Sequence, residues 1–351
     1  MKIMSQFHQL TIKKVIKDTD NAVIISFNVP PNLNEIFTFK AGQYITLKTK
    51  IAEKEIRRDY SLCVSPKSNE LKVAIKKVEN GLFSVYANTL LKANDVLEVA
   101  PPKGRFVFEP NKSTARIIVG FATGSGITPI MSIIKTVLEE EPLSKFILIY
   151  GNKTPKDTIF YAELLDLNLK YPNQFNFEFV FSQSDEENAL FGRIEKNTVK
   201  YFIENKYKGI IVDAFYLCGQ EAMITAVSEV LQEYDIRKSN IHFELFKVSA
   251  PTDTVKNTVD GSTKITVIIK KKELLFTMSQ KSTILEAALD EGIDAPYSCQ
   301  GGICSSCIAR LTEGEANMLH NNILTDSDID EGLILTCQAQ PITPTIVVDY
   351  N

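Results

Sequence analysis

Cys299, Cys304, Cys307 and Cys337 are the side chains best equipped for chemistry. Their spacing, C-x4-C-x2-C and then a distant fourth cysteine, is one that holds a [2Fe–2S] cluster. Two irons need four thiolates; a tight loop supplies three and a separate strand the fourth. Gly301 and Gly302 suit such a loop, where backbone N–H groups can point at the sulfurs and tune the potential. Structural zinc is the rival reading, but zinc sites usually pair two short C-x2-4-C knuckles and only one short pair is present. A cluster of this kind moves one electron at a time, so the rest of the chain must say where electrons come from and go.

Three further motifs offer phosphate or ring recognition. Gly124-Ser125-Gly126-Ile127-Thr128-Pro129 follows a continuous apolar run, Ile117-Ile118-Val119, and precedes apolar residues at helical spacing. Backbone amides and the helix dipole at such a turn favour a pyrophosphate. The motif is G-x-G-x-x-P, without the third glycine or an acidic ribose anchor at the usual distance, so a plain strand-to-helix turn is the competing reading. Arg58-Asp59-Tyr60-Ser61, placed at the start of a β-run, offers a phosphate clamp, a flat ring and a hydroxyl. Gly81-Leu82-Phe83-Ser84 precedes a lone helix and is a second phosphate candidate. Cys218-Gly219 ends a strand, at the edge where α/β sheets bind ligands. A single cysteine there, like Cys63, is otherwise a small buried hydrophobe.

The elements that must position these residues fall into three segments. Residues 1–110 show short alternating runs, such as Ala22 to Phe27 and Leu71 to Ile75, separated by turn residues; they predict an antiparallel β-barrel. Residues 111–247 alternate apolar strands with helical repeats and predict a doubly wound parallel α/β sheet. In it Thr128 is expected to cap a helix, with Pro129 at its first position. The stripe Phe175, Phe177, Phe179 and Phe181 reads as core. Residues 248–263 are polar and aperiodic and read as a linker, spanning roughly 20–25 Å as a random coil. Residues 264–351 open on a predicted hairpin, then a helix over Thr283 to Glu291, then the cysteine loop.

Composition narrows the functional classes. The 351 residues carry a net charge of −4, which gives no reason to expect nucleic acid. The charge is uneven: residues 263–351 hold six basic and twelve acidic side chains, a net of −6, against +2 for the remainder. Six cysteines in a chain of this length do not read as a disulfide framework. No apolar run reaches membrane-spanning length and the start lacks a signal-peptide core, which predicts a cytoplasmic protein without a membrane partner.

Taken together, the motifs resemble the ferredoxin–NADP reductase superfamily. Arg58-x-Tyr60-Ser61, with Leu62 after it, is similar to its flavin motif, and Gly81-x-x-Ser84 to its flavin-pyrophosphate turn. Gly124-x-Gly126-x-x-Pro129 resembles its nicotinamide-nucleotide loop, and Cys218-Gly219 its site beside the nicotinamide; Gln220 departs from the usual proline. Residues 264–351 resemble plant-type ferredoxins, which implies a β-grasp α+β domain. The opening Phe7-His8-x-Leu10-Thr11, Leu148 to Asn152, Phe181-Ser182-Gln183 and Val347-Val348-Asp349 resemble the oxygenase reductases of the superfamily.

The resemblance implies a route from NADPH or NADH to FAD, then to the [2Fe–2S] centre, then to an oxygenase partner, a diiron epoxidase complex first among them. FAD is preferred over FMN because the Gly81 to Ser84 turn suits a pyrophosphate. Thr128 and Cys218 would flank the nicotinamide, with Glu244 and Phe246 closing the nucleotide domain near the flavin. The choice of nucleotide stays open: Lys153 and Arg193 are the cations available for a 2′-phosphate, and Gln183 brings no charge. Competing classes are a reductase for another hydroxylase or hybrid-cluster protein, a stand-alone flavin or quinone reductase, and a zinc-stapled binding module.

Overall fold

The computed structural model describes residues 7–246 and 261–350. Two compact units emerge, residues 1–246 and 247–351. The predicted linker lies mostly outside the described residues; its last two positions, Ser262 and Thr263, open a strand instead. Thr263 is fully buried and its hydroxyl donates to Thr343 O at 2.6 Å, so a residue read as polar linker serves as a sheet anchor.

The first unit begins with six antiparallel strands: β1 (His8–Thr19), β2 (Ala22–Asn28), β3 (Tyr44–Ile51), β4 (Lys54–Ser61), β5 (Leu71–Lys76) and β6 (Val96–Val99), with helix α1 (Leu82–Thr89) between the last two. Their order is β4-β3-β6-β1-β2-β5. The two edges meet through the bridge Leu62–Val73 and the bond from Cys63 N to Lys72 O (3.1 Å), which rolls the sheet into the predicted barrel and removes its free edges. Alternating apolar residues from these strands, among them Leu10, Ile12, Ile25, Ile45, Leu47 and Val73, fill the interior.

A parallel sheet follows. Its elements are β7 (Ile117–Thr123), α2 (Ile127–Glu140), β8 (Lys145–Asn152), α3 (Tyr161–Lys170), β9 (Phe175–Phe181), β10 (Ala189–Phe191), α4 (Lys196–Tyr201), β11 (Ala214–Gly219), α5 (Glu221–Glu233) and β12 (Ile241–Leu245). The order β10-β9-β8-β7-β11-β12 reverses direction between β7 and β11, the crevice where doubly wound sheets take ligands. Phe175, Phe179 and Phe181 are buried as core, as their alternation suggested. The chain leaves β12 at Phe246, two residues beyond Glu244.

The second unit holds β13 (Ser262–Ile269), β14 (Lys272–Ser279), α6 (Ile284–Asp290), β15 (Ile308–Glu313), β16 (Ala316–Met318), α7 (Asp326–Asp330), β17 (Leu333–Leu335), β18 (Ala339–Pro341) and β19 (Thr345–Asp349). Five strands form a mixed sheet, β14-β13-β19-β15-β17, with β13 and β19 parallel. Helix α6 buries Ile284 and Ala287 against it, and Thr283 caps the helix by accepting the Glu286 N–H at 3.2 Å. A helix packed over such a sheet is the α+β arrangement expected.

Candidate functional site

The flavin motif lies at the end of β4 rather than at the start of a strand, because the whole run from Lys54 pairs with β3, with Ser61 opposite Tyr44. Strand alternation then separates its side chains. Arg58 is exposed, with one N–H spent on Arg57 O at 2.7 Å; a guanidinium has five such donors. Tyr60 lies against Phe83 at 5.6 Å between ring centroids, and burial pushes its phenol up, so it stays neutral. Ser61 and Leu62 are buried.

The second half of the motif is built by a close turn. A Cβ on Gly81 would stand 2.4 Å from both Ser84 Oγ and Val78 Cγ2, so only glycine lets the turn close. Ser84 Oγ donates to Gly81 O and accepts the Val78 N–H, both at 3.2 Å. Gly81 caps α1, with Phe83 packed inside and Leu82 outside. Open α1 amides, the outward Arg58 and the Tyr60 ring are donors and a surface that fit a flavin with a pyrophosphate.

The nucleotide loop sits at the sheet's reversal point. The sequence placed Thr128 as helix cap, but α2 begins two residues earlier than that, with Gly126 as its cap, Thr128 second and Pro129 third. The physical reason is contact. A Cβ on Gly126 would fall 2.1 Å from Cys218 O and 2.7 Å from Gly219 Cα, so the loop from β7 seats directly on the end of β11. The Thr128 hydroxyl turns back to donate to Ser125 O at 3.0 Å. Cys218 is buried, and burial first, then Glu244, raises its thiol well above the ordinary value; it acts there as a neutral, compact group.

Three nearby groups carried no assigned role in the sequence: Lys76 drew no notice, and Tyr150 and Asn152 stood only within the run Leu148 to Asn152. Lys76, from barrel strand β5, places Nζ 3.3 Å from where a Gly124 Cβ would be. Burial lowers its pKa; Asp157 raises it and Lys153 lowers it further. A half-buried ammonium beside a glycine loop and a helix start fits an anionic pyrophosphate. Tyr150 holds the loop from beneath, its hydroxyl 2.9 Å from Gly124 O. Asn152, at the end of β8, influences that phenol, yet neither of its shielded amide atoms makes a bond of hydrogen-bond geometry. Lys76 is ordinary in sequence, and only strand pairing brings it here.

Glu244 joins the two halves. It lies on β12 beside Cys218 of β11 and accepts the Ser61 hydroxyl at 3.3 Å. Though part of the residue is exposed, its carboxyl is enclosed, and that burial pushes it up to about 8. It is therefore a neutral acid at pH 7. Phe246 is partly exposed at the end of this unit. Cys218, Glu244 and Ser61 are thus brought together, with Thr128 two residues beyond the Gly126 that seats on Cys218, while Arg58 is exposed on the strand that carries Ser61.

In the second unit, Cys307 and Cys337 are buried and Cys299 and Cys304 half-buried. Thr336 N and Oγ1 both donate to Cys307 O, at 3.3 and 2.9 Å, which brings the fourth cysteine to the loop. Cys307 and Cys337 share a hydrogen bond that raises the first and lowers the second, with Cys299 in electrostatic range of both. Donors converge on the sulfurs: Gly301 N at 3.4 Å from Cys299 Sγ and Gln338 Nε2 at 3.8 Å from Cys337 Sγ. Ser298 Oγ is buried with no partner, an orphan donor next to Cys299 in the chain. Among the described residues no three His, Cys, Asp or Glu side chains converge on a single ion position. The fourth cysteine sits in the turn between β17 and β18 rather than on a strand; three thiols on one loop and one on that turn, with amide donors toward them, fit a cluster of two irons.

The comparisons with known proteins agree with this layout. Family models match an oxidoreductase FAD-binding domain over residues 9–108, an oxidoreductase NAD-binding domain over 121–229, and a 2Fe-2S iron-sulfur cluster binding domain over 267–341. The chain is 37% identical over 355 residues to one component of the 1,2-phenylacetyl-CoA epoxidase of Escherichia coli, covering 99% of each chain. It is 29% identical to the ferredoxin reductase component of a 3-ketosteroid-9-alpha-monooxygenase from Rhodococcus rhodochrous, covering 97% of this chain and 96% of that one. Phthalate dioxygenase reductase shares the fold, with a TM-score of 0.62 at 23% identity over 98% of both chains. The protein is an oxidoreductase that carries electrons from NAD(P)H through FAD to a [2Fe–2S] cluster, and its chain belongs to the ferredoxin–NADP reductase family, in the form that ends in a ferredoxin domain.

Proposed function

We propose that the protein is the reductase of a diiron oxygenase, a phenylacetyl-CoA epoxidase serving phenylacetate breakdown. The 37% identity across the full chain supports this choice of partner. Reductases for ketosteroid and glycine betaine monooxygenases share 29% and 26% identity. The observation that carries the electron route is the bond between Ser61 and Glu244, which ties the flavin motif to the strand flanking the nucleotide crevice. Among the described residues no helix is long and apolar enough to cross a membrane, and we place the activity in the cytoplasm.

In this reading residues 1–110 bind FAD, 111–247 bind the nicotinamide nucleotide, and the unit that opens with β13 at Ser262 carries the cluster beyond the linker. When bound, FAD accepts a hydride as an electron pair and releases single electrons to the cluster. The chain's own residues do the positioning. Arg58 and the α1 amides, with Gly81, Leu82, Phe83 and Ser84 shaping their turn, hold the flavin pyrophosphate, and Tyr60, Ser61 and Leu62 meet its ring. Gly124, Ser125, Gly126 and Pro129 shape the loop for the nucleotide pyrophosphate, which Lys76 neutralises. Thr128 and the Cys218-Gly219 edge set the nicotinamide's depth, and Phe246 closes the crevice. Glu244 stays protonated near the flavin, so no buried carboxylate opposes negative charge developing there. Cys299, Cys304, Cys307 and Cys337 hold the irons.

Coupled turnover tests the partner. With purified epoxidase complex and phenylacetyl-CoA, the reductase should consume NADPH or NADH only when the complex is present and should yield epoxide. Rapid reduction of ferricyanide with no epoxidation would remove the named partner and leave a general reductase.

A further inference from the structure

Phe160 is the only aromatic residue with positive φ among the described residues. It has φ 62° and ψ 22°, and it is 2% exposed. A bulky buried residue persists in the left-handed region only when its surroundings over-determine it, and such strain gathers at functional sites. Here the surroundings are specific. The Phe160 N–H donates to Asp18 Oδ2 at 3.0 Å. Asp18 belongs to neither β8 nor α3; it stands near the far end of β1, on the flavin barrel. One residue back, Ile159 O lies 3.4 Å from the Tyr150 hydroxyl, whose nearer acceptor is Gly124 O at 2.9 Å. A short path of contacts therefore runs from the barrel to the glycine loop. The segment it pins, between Asn152 and Phe160, carries Lys153 and Asp157, the two residues that act electrostatically on Lys76 beside that loop.

We propose that Asp18 is a positioning residue for the nicotinamide nucleotide: by holding the Phe160 N–H it fixes, through Ile159 and Tyr150, the seat of the Gly124 loop. The inference rests on reading that loop as the site of the nucleotide pyrophosphate. Asp18 touches no substrate. It aligns the nucleotide domain from the domain that holds the flavin, so it acts on nucleotide affinity and leaves the hydride step alone.

The test uses the full-length protein loaded with FAD and cluster, with NADH and NADPH titrated separately. Asp18→Ala should raise KM for the nucleotide about tenfold, the loss of one hydrogen bond to a charged group. FAD content and the flavin reduction rate at saturating nucleotide should stay at the wild-type level. Asp18→Asn keeps an oxygen acceptor and should restore most of the affinity. Tyr150→Phe cuts the next link and should raise KM in the same sense. If Asp18→Ala does not fold, Tyr150→Phe decides: a raised KM supports the proposal and an unchanged one overturns it. An unchanged KM in Asp18→Ala overturns it, as does an Asp18→Asn variant no better than Ala. Wild-type protein that neither nucleotide reduces would instead bring down the underlying reading of the loop.

Discussion

Glu244 shows how one side chain can be tuned by place alone. Its ordinary value of 4.5 rises to about 8 because burial penalises the carboxylate, against a lesser opposing effect from Ser61. The sign follows by linkage. Below about pH 4.5 the residue is protonated in both the folded and the unfolded chain and contributes nothing. Between 4.5 and 8 the unfolded chain releases the proton and the folded chain keeps it, so rising pH opposes folding; above 8 the cost stops growing. Glu244→Gln should therefore be more stable than wild type at pH 9 and nearly equal at pH 4.5, by thermal melts. Equal melting at both pH values would deny the burial. The same variant should lose any step near pH 8 in the rate of flavin reduction. At the cluster, Cys304→Ser should abolish its visible absorbance and electron delivery to the oxygenase, while reduction of FAD by NAD(P)H continues. Loss of flavin reduction in a folded variant would contradict a linear route.

At the scale of elements, the turn between β7 and α2 matters most. Its backbone lies so close to the end of β11 that Gly126→Ala would drive a methyl into Cys218 O. The loop must then lift, and KM for NAD(P)H should rise by on the order of tenfold to a hundredfold, as expected for a misplacement near 1 Å. Normal nucleotide kinetics in that variant would mean the loop does not hold the pyrophosphate. Much of this was legible in the sequence. The period change from alternating strands to strand-and-helix repeats announced both folds of the first unit, and the cysteine spacing announced the cluster. What was not legible depends on packing across elements. Thr128 looked like a cap by its residue type, but the close seat on Cys218 moved the cap to Gly126. Lys76 and Asp18 carry no local signal, because their partners lie in other strands and loops. Ser262 and Thr263 looked like linker because the carbonyl that accepts the Thr263 hydroxyl belongs to Thr343, far along the chain.

For the molecule as a whole, the division into two units predicts separable functions. A fragment of residues 1–246 should retain FAD and oxidise NAD(P)H with ferricyanide, yet deliver nothing to an oxygenase. Failure of the fragment to bind FAD would show that the flavin site needs the second unit. The exit of the chain from β12 has a further consequence. Phe246 is two residues past Glu244, so the covalent tie to the cluster unit is rooted beside the strand end that carries Glu244. Fourteen residues separate Phe246 from Gly261, and even fully stretched they reach about 50 Å. One carrier confined within that radius has a local concentration of a few millimolar, the usual range for short tethers. Internal electron supply is therefore indifferent to dilution: a cell holding few copies of this protein still has one cluster unit tied to every flavin unit, and only the encounter with the oxygenase remains sensitive to abundance.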